Sequence, residues 1–213
     1  MNEFANAFLL TFAALFPIVN PVGSAPLFLG LTQHVTAAER NALARGVAVN
    51  SFLLLVGALL IGSHVLEFFG ISLPVVRLGG GLVVAAFGWK LLNEGVSPDG
   101  DAPKNSARVD SFYPLTLPLT VGPGSISVAI TLGSQRPRTA PVAELITLGS
   151  AALAGIIAIV ITIFVCYRFA DRLVARLGPA GTSVVVRLSA FILLCIGIQI
   201  FWGGWSELNH IAK

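Results

Sequence analysis

The chain has 213 residues, of which 55% are hydrophobic and 11% are charged, against about 25% charged in ordinary soluble domains. One soluble core of this size cannot hide so much apolar surface. The composition therefore predicts an all-α integral membrane protein and excludes disordered, nucleic-acid-binding and soluble-enzyme classes. The net charge of +3 comes from arginines at the ends of apolar runs, which marks membrane topology rather than a nucleic-acid surface.

Met1-Asn2-Glu3-Phe4 places no Lys or Arg before the first apolar stretch. A cleaved signal peptide needs that positive region, so this start is expected to be kept as a first span. The stretch 4–33 is too long for one straight span and is interrupted at Pro17-Ile18-Val19-Asn20-Pro21-Val22-Gly23. Clean runs of about twenty apolar residues, each enough for a membrane helix, follow at 42–63 and 71–92. A polar linker, 94–110, comes next, with Pro98, Asp99, Asp101, Pro103 and Lys104. The stretch 112–134 is again interrupted, at Pro118-Leu119-Thr120-Val121-Gly122-Pro123-Gly124, and clean runs follow at 141–167 and 182–203.

The linker divides the chain into two halves, 1–93 and 111–213, within one membrane domain. Shifted by about one hundred residues, Pro17 falls on Pro118 and Gly23-Ser24 on Gly124-Ser125. Val75-Val76-Arg77-Leu78 matches Val185-Val186-Arg187-Leu188 letter for letter. The predicted fold is six transmembrane helices in two three-helix repeats, the first helix of each broken near the midplane. Three spans per repeat make the second copy inverted, a common plan among secondary transporters. Re-entrant hairpins at the breaks would instead give parallel repeats. Length favours spanning, since 4–16 and 24–33 together supply about 35 Å of helix. Arg40, Arg45, Lys90, Lys104, Arg108, Arg168, Arg172 and Arg176 fall on one side of this topology. Arg136, Arg138 and Lys213 fall on the other. The excess marks the first side as cytoplasmic and puts both termini in the periplasm.

Two prolines and a glycine within seven residues unwind a helix. In lipid, unwound backbone is tolerated only against protein or a watery cavity, so both breaks should face inward. Each ends in Gly-Ser followed by a new helical stretch, which offers free amides and a positive dipole end. The candidate substrate-binding residues are Asn20, Gly23, Ser24, Thr120, Gly122, Gly124 and Ser125. Ser24, Ser125 and the nearby amides would take a carboxylate, and Asn20 and Thr120 an amino group. The set suits a zwitterion; two kinked helices that merely pack closely are the plain alternative.

Arg77 and Arg187 lie inside their spans, where an arginine costs at least about 2.5–3.5 kcal/mol on an insertion scale. No Asp or Glu lies deep in a span, and Glu39, Glu67, Glu94, Glu144 and Glu207 all fall near span ends. Freed carbonyls, a substrate carboxylate or snorkelling would account for the two arginines. Gly79 and Gly80, within Gly79-Gly80-Gly81, are expected to let a neighbouring backbone come close. Asn50 and Gln199 read as interhelical hydrogen bonders, and Cys166 and Cys195 as small core residues. No nucleophilic triad, metal-ligand spacing or phosphate loop followed by Lys is present, so neither enzyme activity nor a cofactor is expected.

Asn20-Pro21-Val22-Gly23-Ser24-Ala25-Pro26-Leu27-Phe28 resembles the signature near the start of the MarC family. Phe69-Gly70-Ile71-Ser72 with Arg77-Leu78-Gly79-Gly80-Gly81 is similar to that family's third-span pattern. The stretch from Pro114 to Gly124 is similar to its fourth. The resemblance covers nearly the whole chain. It implies a six-span inner-membrane protein of a bacterium or archaeon, related to neutral amino-acid transporters. The expected function is a secondary transporter or exporter of small neutral amino acids or similar zwitterions, with the substrate between the breaks. A channel-like facilitator and a non-transporting scaffold or accessory subunit are the alternatives. Sodium coupling through carbonyls and hydroxyls stays open, as does a homo-oligomer.

Overall fold

The computed structural model describes residues 3–94, 110–134 and 141–211. Most of the predicted linker, with Lys104 and Arg108, lies outside the described residues, as do Arg136, Arg138 and Lys213. The described residues form seven helices: α1 (Glu3–Val19), α2 (Pro21–Leu31), α3 (Ala37–Phe68), α4 (Leu73–Glu94), α5 (Pro123–Ser134), α6 (Val142–Arg168) and α7 (Ala170–Ile211).

The boundaries follow local chemistry. Pro17 sits inside α1, and the chain leaves helical geometry only at Asn20, with φ 48° and ψ 55°. Asn is among the few residues that tolerate this left-handed conformation. Its Oδ1 accepts from the Gly23 amide at 3.2 Å, and Pro21 occupies the first turn of α2, where its missing N–H does no harm. α3 begins in a capping box. Thr36 Oγ1 accepts from the Glu39 amide at 3.3 Å, and Glu39 Oε2 accepts from the Thr36 amide at 2.9 Å. It ends at Gly70, φ 66°, where the Ile71 amide donates to Leu66 O and the Gly70 amide to Glu67 O, the bonding of a Schellman cap. These polar ends carry α3 beyond both limits of its apolar run.

Five stretches, not six, are long and apolar enough to cross a membrane among the described residues: Glu3–Leu31, Ala37–Phe68, Leu73–Asn93, Val142–Arg168 and Ala170–His210. The apolar run at 112–134 is the exception. Pro114 and Pro118 cannot donate to a helical ladder. The preceding chain instead closes wide turns, with the Leu117 amide on Phe112 O and the Val121 amide on Thr116 O. Thr116 Oγ1 donates to Ser111 O and Thr120 Oγ1 to Leu115 O, each at 2.7 Å. Only α5 is helical, and its 12 residues make about 18 Å, short of the roughly 30 Å hydrocarbon core.

Two cores hold the bundle. The larger joins α1, α2, α3, α5 and α6 around Leu15, Phe28, Leu55, Leu115, Ile156 and Tyr167. The smaller joins α4 to α7 through Val84, Leu91, Val186, Ala190 and Leu193. α4 and α7 run antiparallel and nearly backbone to backbone. A Cβ on Gly81 would lie 2.4 Å from Phe201 N, and one on Gly88 2.6 Å from Leu194 N. Small residues permit that approach, which supplies much of helix association in lipid. α1 packs on α6, α5 on α3 and α4, and α2 on α7. The outward faces carry exposed Leu53, Ile61, Leu82, Ile146 and Phe191, as a surface against acyl chains requires.

Candidate functional site

The buried Tyr167 side chain, near the end of α6, stacks on Phe28 of α2 with ring centroids 4.3 Å apart. Its hydroxyl lies 2.7 Å from Thr120 Oγ1, with the Ser24 side chain close by. Donor counting gives the bonds a direction. Thr120 has one hydroxyl hydrogen, and the Leu115 carbonyl, which can only accept, takes it. Tyr167 therefore donates to Thr120. This buried bond ties the end of α6 to the chain just before the Gly122 turn.

Of the predicted residues, Thr120, Gly122, Gly124 and Ser125 line one small pocket of about 60 Å³, lined also by Ile18, Phe87 and Leu193 among others. Ser125 is buried and donates to Gly122 O at 2.9 Å, so its oxygen is left as an acceptor. Asn20, Gly23 and Ser24 do not line that cavity. The Asn20 Oδ1 is used by Gly23, whereas Nδ2 is buried without a hydrogen-bond partner. Gly23 presses on α7, its would-be Cβ lying 2.6 Å from Ser189 Cβ, and Gly124 presses on Val84 of α4 at 1.9 Å. Both glycines are therefore required by close approach.

The supporting residues divide. A Cβ on Gly80 would lie 2.8 Å from Ser127 Cβ, but Gly79 is exposed and one there would meet nothing within 4 Å. Arg77 does not bind freed carbonyls. It forms an ion pair with Glu207 of α7, and its Nε donates to Thr131 Oγ1 at 3.4 Å. The antiparallel α4–α7 contact brings Glu207, near the end of its helix, beside the start of α4. Arg187 lies on the exposed face of α7, makes no ion pair among the described residues, and is not brought to the Asn20 or Gly122 turns. Asn50 reaches Ser111 Oγ at 3.4 Å. At the opposite end of the bundle Arg40 joins Asp171 at 2.7 Å and Thr32 O at 3.1 Å. No group of three His, Cys, Asp or Glu that could hold a metal ion occurs among the described residues.

Sequence reasoning missed Tyr167, which it used only as the end of an apolar run. The one available signal was a phenol at the end of an otherwise aliphatic stretch; nothing local pairs it with Thr120, 47 residues earlier.

The family description "MarC family integral membrane protein" matches residues 5–208. The chain is similar to the UPF0056 inner membrane protein MarC of Escherichia coli O157:H7, at 29% identity over 99% of this chain and 100% of the relative. It is equally similar, at 29% identity over 98% of each chain, to the protein of that name from Salmonella typhimurium strain LT2. No solved structure matches the chain significantly.

Proposed function

The chain belongs to the MarC family of integral membrane proteins, and from that premise we propose that it is an inner-membrane secondary transporter of small zwitterionic solutes, neutral amino acids being the class. The observation that carries this is the buried cluster of Ser24, Thr120 and Tyr167, in which Thr120 and Tyr167 are hydrogen-bonded at 2.7 Å. It joins polar groups of both chain interruptions inside an otherwise apolar core, beside a cavity whose wall carries hydroxyls and no charge.

Inverted repeats are supported by the packing. When the first half is exchanged for the second, α2 on α6 becomes α5 on α3, and α2 on α7 becomes α5 on α4. The α4–α7 and α3–α6 contacts map onto themselves. The site then lies at the repeat interface, as in other transporters so built. With most loop arginines inside, the termini face the periplasm.

Hydrogen-bonding capacity assigns the ends of the ligand. Asn20 offers a donor, so it serves the carboxylate rather than the ammonium. The Ser24 hydroxyl joins it. The Ser125 and Thr120 oxygens, whose hydrogens are committed, accept from the ammonium. The 60 Å³ cavity has room for about two waters, so substrate binding must widen it. Hydroxyl and carbonyl oxygens without a carboxylate suit sodium as a coupling ion better than a proton.

Thermal unfolding of the purified protein against a panel of amino acids tests this. A ligand at one hundred times its Kd stabilises by about 2.7 kcal/mol. Saturable stabilisation by neutral amino acids, weakened in Ser24→Ala, is expected. Equal responses to charged and neutral amino acids would reject the zwitterion site.

A further inference from the structure

We propose that the bend of α7 is a binding site for the headgroup of an anionic phospholipid. α7 has 42 residues, about 63 Å if straight, roughly twice the hydrocarbon thickness. It is divided at Gly178, whose φ of 65° and ψ of 176° are not helical. Before the bend, Arg172 and Arg176 are exposed while Leu173, Val174 and Leu177 are half-buried, the pattern of a segment lying along a membrane surface. Arg168 continues the arginine row one turn earlier, and Arg168 and Arg172 sit over the Phe169 ring at 5.8 and 5.2 Å.

The inside angle of the bend holds a hollow of about 530 Å³, lined by Val174, Gly178, Pro179, Thr182, Ser183 and Val186 among others. That is the size of a small-molecule site. Thr182 is 9% exposed, and its Oγ1 is buried without a hydrogen-bond partner. Arg187 lies one turn beyond Ser183 on the same face. Helical side chains lean toward the N-terminus, which here means toward the hollow. A guanidinium at that depth is costly unless an anion meets it, and Asp171, the carboxylate before the bend, is held by Arg40 at 2.7 Å. The helix also restarts at Pro179, so its positive pole faces the same space. Arg187, the helix pole and the arginine row all favour a negative charge. The apolar walls at Val174 and Val186 fit an acyl chain, which a free phosphate lacks.

The test titrates the purified full-length protein with phosphatidylglycerol, phosphatidylcholine or inorganic phosphate. Bound lipid is counted by native mass spectrometry, and thermal unfolding is followed in parallel. Phosphatidylglycerol should bind at least tenfold more tightly than phosphatidylcholine, and inorganic phosphate at the same concentration should not stabilise. Arg187→Gln and Thr182→Val should each lower the phosphatidylglycerol preference about five- to tenfold. Arg187 is exposed and Thr182→Val keeps the side-chain shape, so both variants should fold. Arg45→Gln, which removes the same charge from an exposed position on α3, should leave the preference intact. Equal binding of the two lipids would overturn the site. So would equal losses in Arg45→Gln and Arg187→Gln, which would indicate bulk charge, or stabilisation by inorganic phosphate matching that by phosphatidylglycerol.

Discussion

Tyr167→Phe removes one oxygen and leaves the ring on Phe28, 4.3 Å away, so hydrophobic packing is nearly unchanged. The loss comes from hydrogen bonds. Thr120 keeps its bond to Leu115 O at 2.7 Å and loses only an incoming one, worth about 0.5–1.5 kcal/mol. The expected loss is therefore about 0.5–1.5 kcal/mol, or roughly 1–6 °C in Tm for a chain of this length. Thermal unfolding in detergent, run with Thr120→Val and the double variant, measures it. Two groups joined by one hydrogen bond should couple by about 0.5 kcal/mol or more. An unchanged Tm in Tyr167→Phe, or strictly additive losses in the double variant, would refute the Tyr167–Thr120 bond.

Gly124→Ala should lower both stability and transport, because its Cβ would meet Val84 Cγ2 at 1.9 Å; Gly79→Ala, with nothing within 4 Å, should leave thermal unfolding and flux unchanged. Arg77→Ala should lower Tm by leaving Glu207 without its ion pair, while ligand affinity measured on the folded variant stays unchanged. Reporter fusions at Lys213 and within 95–109 should report opposite sides of the membrane, with the linker cytoplasmic.

The clean apolar runs gave most of the helices, because in lipid length and hydropathy alone nearly decide a span. Their ends were less legible. α3 begins at a polar capping box and stops at Gly70, neither of which registers as hydrophobicity. The run at 112–134 looked helical because the threonine hydroxyls that cap Ser111 O and Leu115 O occur within apolar text. At the candidate site the Gly-Ser pattern marks Gly23 and Gly124 as ligand-facing, whereas the structure sets them against Ser189 of α7 and Val84 of α4. Tyr167 and Glu207 carry no local signal, since their partners lie 47 and 130 residues away and only helix packing brings them together.

Counterflow in proteoliposomes most directly tests whether the two interruptions hold a transported zwitterion. Vesicles loaded with an unlabelled neutral amino acid and diluted into its labelled form should accumulate label transiently. Ser24→Ala and Ser125→Ala should each slow that uptake without loss of inserted protein. No accumulation above protein-free vesicles across the neutral amino acids, or wild-type rates in both serine variants, would contradict it.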